Sequence, residues 1–291
     1  MWAGNNMRVL VTGANGQLGH DIVKELTNRN IAHKGIDFDD CDITDKSAVF
    51  NTIEEYSPTA VIHCAAYTAV DKAEDEPELC RQINEYGTRN IAQVCKQVNA
   101  KMVYISTDYV FPGNGDNFYE PNDVTGPLSV YGKTKLAGEK AVQETLNEYF
   151  IVRISWVFGQ NGNNFVKTML RLGKERNTLN VVCDQIGSPT YTADLAPLLC
   201  DMAASEMYGV YHATNEGVCS WAEFAEEIFR QANLGVLVNP IPSSDYPTKA
   251  ARPLNSRMDK SCLDRAGLKR LPVWQDALQR AVPYIVLFDL K

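Results

Sequence analysis

Short apolar runs alternate with amphipathic segments through the first half of the chain. The runs have the length of β-strands and cover residues 8–12, 31–37, 59–64, 102–106 and 150–155. Between them, apolar residues recur every three or four positions, which predicts helices, one over 45–56 with Thr44 or Asp45 as N-cap and another that includes 136–146. Strands that alternate with helices need crossover connections, so this half predicts an α/β fold with a parallel sheet.

The second half has a less regular pattern. Helical periodicity is visible over 165–176, 192–204 and 220–232. Prolines cluster between residues 236 and 253, which predicts a loop-rich stretch there. The composition changes near residue 160, so we place a domain boundary there and expect later segments to return to the first sheet.

Length and charge exclude several classes of protein. A chain of 291 residues with 45% hydrophobic and 22% charged residues has the balance of a globular protein with a substantial core. The formal net charge of −8 leaves no basic footprint for nucleic acid, so we expect no such partner. The longest apolar stretch, 281–288, contains a proline and is far shorter than the roughly 20 residues that span a bilayer. We therefore expect no membrane partner.

The cysteines predict reduced thiols. None of the eight forms a C-x-x-C pair, and a chain of this length does not depend on disulfides, so we expect mostly buried, reduced side chains and a cytoplasmic location. The four histidines show no metal-ligand spacing. Residues 1–6 carry no basic segment and no long apolar run, so a signal peptide is not expected.

A glycine-rich turn follows the first predicted strand and opens the next helix. Gly13, Gly16 and Gly19 have the spacing G-x-x-G-x-x-G, which allows a tight turn and a close approach of the backbone to a pyrophosphate. The N-terminus of the helix then offers free N–H groups to the phosphate charge. Asp37 lies at the end of the second predicted strand, where a carboxylate binds ribose hydroxyls. Together these features predict a dinucleotide site.

Three further motifs follow predicted strands, and each has an ordinary explanation when read alone. Tyr131 and Lys135 stand on one helix face, where a lysine lowers the pKa of a tyrosine, although an exposed helix face explains the pair equally well. Thr107 lies just past a strand, where a hydroxyl contacts a ligand or forms a turn. The small residues at 64–66 leave room for a nicotinamide ribose, or simply pack closely.

The order of these four elements resembles the extended short-chain dehydrogenase/reductases. Longer stretches are similar to the dTDP-4-dehydrorhamnose reductase family, and they cover 68–74, 106–113, 130–139, 155–157, 162–165 and 252–256. The resemblance extends over nearly the whole chain from Met7. It implies a Rossmann-type doubly wound sheet, with a dinucleotide-binding domain over 1–160 and a smaller, mainly substrate-binding domain over 161–291.

The resemblance implies the reduction of a C4 ketone to give dTDP-L-rhamnose, the last step of dTDP-rhamnose biosynthesis. Tyr131 would donate the proton to the C4 oxygen, Lys135 would stabilise the tyrosinate and hold the nicotinamide ribose, and Thr107 would hydrogen-bond the carbonyl oxygen. This fits the chemistry, because negative charge grows on that oxygen as hydride adds to the carbon.

The resemblance also implies two sets of binding residues. The residues expected to bind the cofactor are Gly13, Gly16, Gln17, Leu18, Asp37, Asp42, Ile43, Ala66, Tyr67, Thr68, Tyr131 and Lys135. The residues expected to contact the dTDP-sugar are Thr107, Asp108, Trp156 and Arg252. Read alone, Trp156 fits a core residue better, and Arg252 fits a surface salt bridge.

The resemblance leaves several alternatives open. Related 4,6-dehydratases carry an Asp-Glu pair after the threonine, whereas Tyr109 follows Asp108 here, so a reductase or an epimerase fits better. The alternatives are a sugar-nucleotide 4-epimerase and a non-catalytic, cofactor-binding regulatory subunit of methionine adenosyltransferase.

Asp37 favours NADH, although the family uses NADH or NADPH. A homodimer is expected from the resemblance. Some members hold a divalent metal such as Mg²⁺, but no ligands are assignable here.

Overall fold

The computed structural model describes residues 7–288, and the side chains as far as Ile285. The expectation about a signal peptide at 1–6 lies outside these residues. The strands are β1 (Arg8–Thr12), β2 (Ala32–Ile36), β3 (Ala60–His63), β4 (Lys101–Thr107), β5 (Tyr149–Ile154), β6 (Val157–Phe158), β7 (Thr178–Val182), β8 (Ile186–Gly187), β9 (Thr190–Tyr191), β10 (Gly209–His212), β11 (Cys219–Ser220), β12 (Leu237–Ile241) and β13 (Asn255–Ser256). The helices are α1 (Gln17–Asn28), α2 (Lys46–Tyr56), α3 (Val70–Ala73), α4 (Pro77–Arg81), α5 (Thr88–Val98), α6 (Val130–Thr145), α7 (Phe165–Glu175), α8 (Thr192–Ala204), α9 (Trp221–Gln231), α10 (Ser261–Arg265) and α11 (Trp274–Phe288).

Six parallel strands form the central sheet in the order β2-β1-β3-β4-β5-β10. This confirms the predicted α/β fold with a parallel sheet. The strand order reverses at β1, which has β2 on one side and β3 on the other. In an open parallel sheet, a ligand binds in the crevice beyond the carboxyl ends of the strands at such a reversal. The glycine-rich turn follows β1 at this point.

Alternate residues of each strand face opposite layers of helices. Val9 and Val11 pack in the core with α1 and α8, whereas Leu10 between them packs in the core with α2 and α5. The apolar runs of the sequence are nearly continuous because both faces of the sheet are covered. The helix predicted over 45–56 is α2, and the Asp45 side chain caps it by accepting from the backbone N–H groups of Ser47 and Ala48.

The second half adds one strand to the central sheet and forms a separate apolar core. β10 pairs with β5 and completes the sheet, as β1 to β5 supply only five of its strands. Residues of α7, α9 and α11 pack together with β7 and β12. The segment 236–253, predicted to be loop-rich, contains a strand, because β12 pairs in parallel with β7. Pro240 is tolerated there since β12 has a partner on one side only, so its missing N–H breaks no ladder.

The prediction that the cysteine side chains are mostly buried is confirmed. All eight are free thiols, and six of them are buried.

Candidate active site

A cleft of about 1040 Å³ opens at the carboxyl edge of the sheet, at the strand reversal beside β1. Most of the residues that the sequence singled out line it: Gly13, Gly16, Gln17, Leu18, Asp37, Asp42, Ile43, Ala66, Thr68, Thr107, Asp108, Tyr131, Lys135 and Trp156. Tyr67 and Arg252 are not among the described residues of its wall. Gly162 and Asn163 of the second half also line the cleft, so the fold brings residues from both halves of the chain to one site.

The glycine-rich turn is possible only without side chains at two of its positions. Gly13 has a φ of +67°, and a Cβ there would lie 2.8 Å from the backbone nitrogen of Ala65. A Cβ on Gly19 would lie 2.1 Å from the carbonyl oxygen of Gly13. Gly16 is the N-cap of α1, so the free N–H groups of that helix face the cleft. This cradle fits a pyrophosphate.

Asp37 lies at the end of β2 beside the same turn. Its Oδ2 accepts from the backbone N–H of Asn15 at 2.8 Å, and its Oδ1 accepts from that of Phe38 at 2.8 Å. The carboxylate thus braces the turn, and it also lines the cleft, where it is placed to accept from ribose hydroxyls. Asp42 and Ile43 line the same end of the cleft.

A segment of the second half crosses to the glycine-rich turn. The Asn161 amide donates to the carbonyl oxygen of Asn15 at 2.7 Å. The Asn164 amide donates to Gln17 Oε1 at 3.0 Å, and its own oxygen caps α7 through the N–H of Lys167. These contacts join the two halves over the predicted phosphate site, and the sequence motif at 162–165 did not reveal them.

Helix α6 positions Tyr131 and Lys135 on one side of the cleft. Ser129 caps this helix, and the Glu74 side chain accepts from the N–H of Val130 at 2.8 Å. The Lys135 Nζ donates to the carbonyl oxygen of Ile105 at 2.7 Å, at the end of β4. Burial lowers the pKa of Lys135 to about 7, against the opposing influence of Glu139. The pKa of Lys135 therefore lies near neutral pH, well below that of an exposed lysine.

Thr107 and Asp108 form a hydrogen-bonded pair at the end of β4, and Tyr131 lines the cleft with them. Burial raises the pKa of Tyr131 above its ordinary value. The Thr107 hydroxyl contacts Asp108 Oδ1 at 2.9 Å, and the Ser256 hydroxyl contacts Asp108 Oδ2 at 2.5 Å. Burial raises the pKa of Asp108 to about 6 in spite of these contacts. Sequence reasoning missed Ser256, although it lies in one of the matched motifs.

The small-residue turn after β3 is held by a residue that no sequence pattern indicated. The buried Asn84 accepts from the Tyr67 N–H at 2.8 Å and donates to the Tyr67 carbonyl at 3.1 Å. It also donates to Thr134 Oγ1 of α6 at 3.1 Å. Asn84 lies in a π-helical segment, Gln82–Gly87, between α4 and α5. Tyr67 thus contributes its backbone to the turn, while its hydroxyl donates to Glu76 at 2.7 Å.

Two residues of the predicted substrate set occupy different positions. Trp156 lines the cleft, has a φ of +49°, and stacks on Trp221 with ring centroids 3.7 Å apart. Arg252 forms an ion pair with Asp71 at 2.6 Å and approaches the hydroxyl of Tyr109, a cleft residue, at 3.4 Å. The aromatic pair provides a flat surface for a ring, whereas Arg252 contacts the cleft residue Tyr109 without lining the cleft itself.

Two properties of the described residues concern metals and membranes. Within residues 7–288, no group of three or more His, Cys, Asp or Glu side chains is arranged to hold a metal ion. Over the same residues, no helix has the length and apolarity needed to cross a membrane.

Comparison with known proteins agrees with this geometry. Residues 7–286 match the family model described as the RmlD substrate binding domain. Over 95% of its length, the chain is 42% identical to dTDP-4-dehydrorhamnose reductase of Aggregatibacter actinomycetemcomitans, of which 99% is covered. It is 43% identical to the reductase of the same name from Streptomyces griseus, over 95% of this chain and 93% of the relative.

Solved structures give the same result. The crystal structure of dTDP-4-dehydrorhamnose reductase from Bacillus anthracis in complex with NADP superimposes with a TM-score of 0.93 at 46% identity, over 95% of this chain and 98% of that one. UDP-glucose 4-epimerase of Thermus thermophilus shares the fold alone, with a TM-score of 0.84 at 22% identity.

The parallel sheet, the glycine-rich turn and the cleft with Thr107, Tyr131 and Lys135 define the class as an oxidoreductase of the Rossmann type. The sequence match narrows this further. The chain belongs to the RmlD substrate binding domain family.

Proposed function

We propose that this protein reduces the C4 ketone of dTDP-4-dehydro-6-deoxy-L-mannose to dTDP-L-rhamnose with NADH or NADPH. The observation that carries the proposal is the convergence of Thr107, Tyr131 and Lys135 on one cleft beside the glycine-rich turn. The relatives' names support a reductase over the 4-epimerase and over the regulatory subunit. The NADP in the B. anthracis structure supports a nicotinamide cofactor.

The cofactor would lie along the cleft from β2 to β4. The N–H groups at Gly16, Gln17 and Leu18 are placed for the pyrophosphate, and Asp37 is placed for the adenosine ribose. Asp42 and Ile43 would flank the adenine. Ala66, Tyr67 and Thr68 would border the nicotinamide end, where Lys135 would hold the ribose. When bound, the cofactor supplies the hydride.

The chain's own residues handle the proton and the orientation of the ketone. Tyr131 Oη donates a proton to the C4 oxygen as negative charge develops there. Thr107 would hydrogen-bond the same oxygen. The ammonium of Lys135 stabilises the tyrosinate that remains, because an opposite charge nearby favours the ionised phenol. Enclosure of these groups in the cleft excludes water and strengthens each interaction.

The sugar nucleotide would enter from the second half of the chain. Trp156, stacked on Trp221, offers an aromatic surface, and Asp108 lies next to Tyr131 at the reacting end. Arg252 would reach the diphosphate only by leaving its ion pair with Asp71. We also propose that residues 161–291 mainly bind substrate, and that the enzyme acts as a homodimer in the cytoplasm.

The proposal is tested by following oxidation of NADH and of NADPH with dTDP-4-dehydrorhamnose and identifying the sugar product. We expect stoichiometric formation of dTDP-L-rhamnose with at least one cofactor. Conversion without net cofactor oxidation would favour an epimerase. Cofactor binding without turnover, together with capture of an S-adenosylmethionine synthetase, would favour the regulatory subunit.

A further inference from the structure

Asn164 connects helix α7 of the second half to the glycine-rich turn of the first. Its side-chain oxygen accepts from the backbone N–H of Lys167 at 3.0 Å and so caps α7. Its NH₂ group donates to the Gly159 carbonyl at 2.9 Å and to Gln17 Oε1 at 3.0 Å. An asparagine amide has two N–H donors, and both are used here. The amide of Asn164 is therefore held on its oxygen side and on its nitrogen side.

These partners determine which way the two amides face. The Lys167 N–H can only donate and the Gly159 carbonyl can only accept, so the Asn164 oxygen faces the first and its NH₂ group faces the second. The Gln17 atom that meets this NH₂ group must be an acceptor, which is its oxygen. The NH₂ group of Gln17 is thus left at the other corner of its planar amide. Among the described residues, none accepts a hydrogen bond from it.

Gln17 is also in close contact with the second half. It is the first residue of α1 and lines the cleft beside the phosphate cradle. Gly162 lies against its side chain, because a Cβ on Gly162 would come within 2.9 Å of Gln17 Cγ. Next to Gly162, the Asn161 amide donates to the carbonyl oxygens of Asn15 and Gly16 at 2.7 and 3.3 Å. The second half therefore packs directly on the turn and on Gln17.

We propose that Asn164 is a positioning residue for the cofactor, because it turns the Gln17 amide so that the NH₂ group faces the pyrophosphate. The inference rests on the nicotinamide cofactor of the proposed function. A pyrophosphate only accepts hydrogen bonds, and a bond donated to its charge is stronger than one between neutral groups. An inverted Gln17 would present its oxygen to the same charge. Asn164 is not among the described residues of the cleft wall, so it acts through Gln17.

The test measures the Kd of NADH, without substrate, by titration calorimetry. In Asn164→Asp, one carboxylate oxygen still caps α7, but the other can only accept, so Gln17 must turn its NH₂ group toward it. We expect Kd to rise roughly 10- to 100-fold, as for the loss of one hydrogen bond to a charged group. In Asn164→Ser, the hydroxyl also caps the helix but is too short to hold Gln17, so Kd should rise less.

The matched control is Asn163→Asp, which adds the same charge one residue away and leaves both amides in place. Asn163 lines the cleft, so its carboxylate would also repel the phosphates. This repulsion should be small and should fade in about 0.5 M salt, because salt screens exposed charges. The larger rise in Asn164→Asp should persist there. Equal rises in the two Asp variants would mean that only charge is involved, and the inference would be wrong.

A double-mutant cycle with Gln17→Met separates positioning from a general effect on the fold. Methionine keeps the length of the side chain and has no amide to orient. In this background, Asn164→Asp should raise Kd no more than Asn163→Asp does. Additive effects of the changes at 17 and 164, or a wild-type Kd in Asn164→Asp, would overturn the inference.

A second ligand locates the effect and keeps it apart from turnover. ADP-ribose carries the pyrophosphate without the nicotinamide, so its Kd should rise by the same factor as that of NADH; an unchanged Kd would contradict a contact with the pyrophosphate. If the ketone is not reduced although Asn164→Asp weakens both ligands, the proposed function fails and the role of Asn164 stands. If reduction is observed and cofactor binding is indifferent to Asn164, only the inference fails.

Discussion

Replacement of Glu139 by glutamine should destabilise the protein strongly. Glu139 and Arg153 form a bidentate ion pair of 2.9 and 2.7 Å, and their side chains are only 2% and 5% exposed. The Ser106 hydroxyl also donates to Glu139 at 2.5 Å. Because Arg153 stays charged in a protein, the variant leaves a buried cation without its partner.

The expected loss follows from this burial. Removing one partner of a buried pair lowers the free energy of unfolding by about 3–5 kcal/mol. For a chain of this size, that corresponds to a decrease in Tm on the order of 10 °C. Differential scanning calorimetry and urea unfolding would both measure the change. Glu175→Gln is the control, because it removes an exposed pair with Arg171 at 3.7 Å, for which a change below about 1 kcal/mol is expected.

Two results would refute this reasoning. If Glu139→Gln lowers stability no more than Glu175→Gln does, the pair is not desolvated as its burial indicates. If a variant with both Glu139 and Arg153 replaced by apolar residues of similar volume is no more stable than Glu139→Gln, the loss does not arise from an uncompensated charge.

Three further predictions concern the cleft. Tyr131→Phe keeps the ring and removes the proton donor, so kcat should fall roughly 10²–10⁴-fold with cofactor Kd unchanged, and near wild-type kcat would exclude this residue as the acid. Asp37→Ala should shift the ratio of kcat/KM values toward NADPH, because it removes a ribose acceptor worth on the order of 1.5–3 kcal/mol and a charge that repels a 2′-phosphate; an unchanged ratio would mean that Asp37 does not face the ribose. Gly19→Ala forces a Cβ against the Gly13 carbonyl oxygen, so cofactor Kd should rise and stability fall by about 1–3 kcal/mol, and tight binding in this variant would contradict the turn geometry.

The sequence predicted the elements whose signal is local. Apolar periodicity identified β1 to β5 and α2, because burial on one or two faces leaves its mark within a few residues. The glycine-rich turn was equally readable, since the lack of a Cβ at Gly13 and Gly19 is a requirement of the backbone itself. The order of the motifs resembles that of a known family, and this resemblance named most of the residues that line the cleft.

The tertiary structure decided the features that depend on distant partners. Asp108 and Ser256 are 148 residues apart, and neither shows by itself that the two side chains share a hydrogen bond. Asn84 holds the Tyr67 backbone although no motif marks it. β12 forms at a proline-rich segment because its backbone pairs with that of β7, which is distant in sequence. In each case the stabilising contact exists only after the chain has folded. Periodicity and spacing in the sequence therefore determined the framework of strands and helices. The environment of each reacting group arose instead from packing between segments that are far apart in sequence.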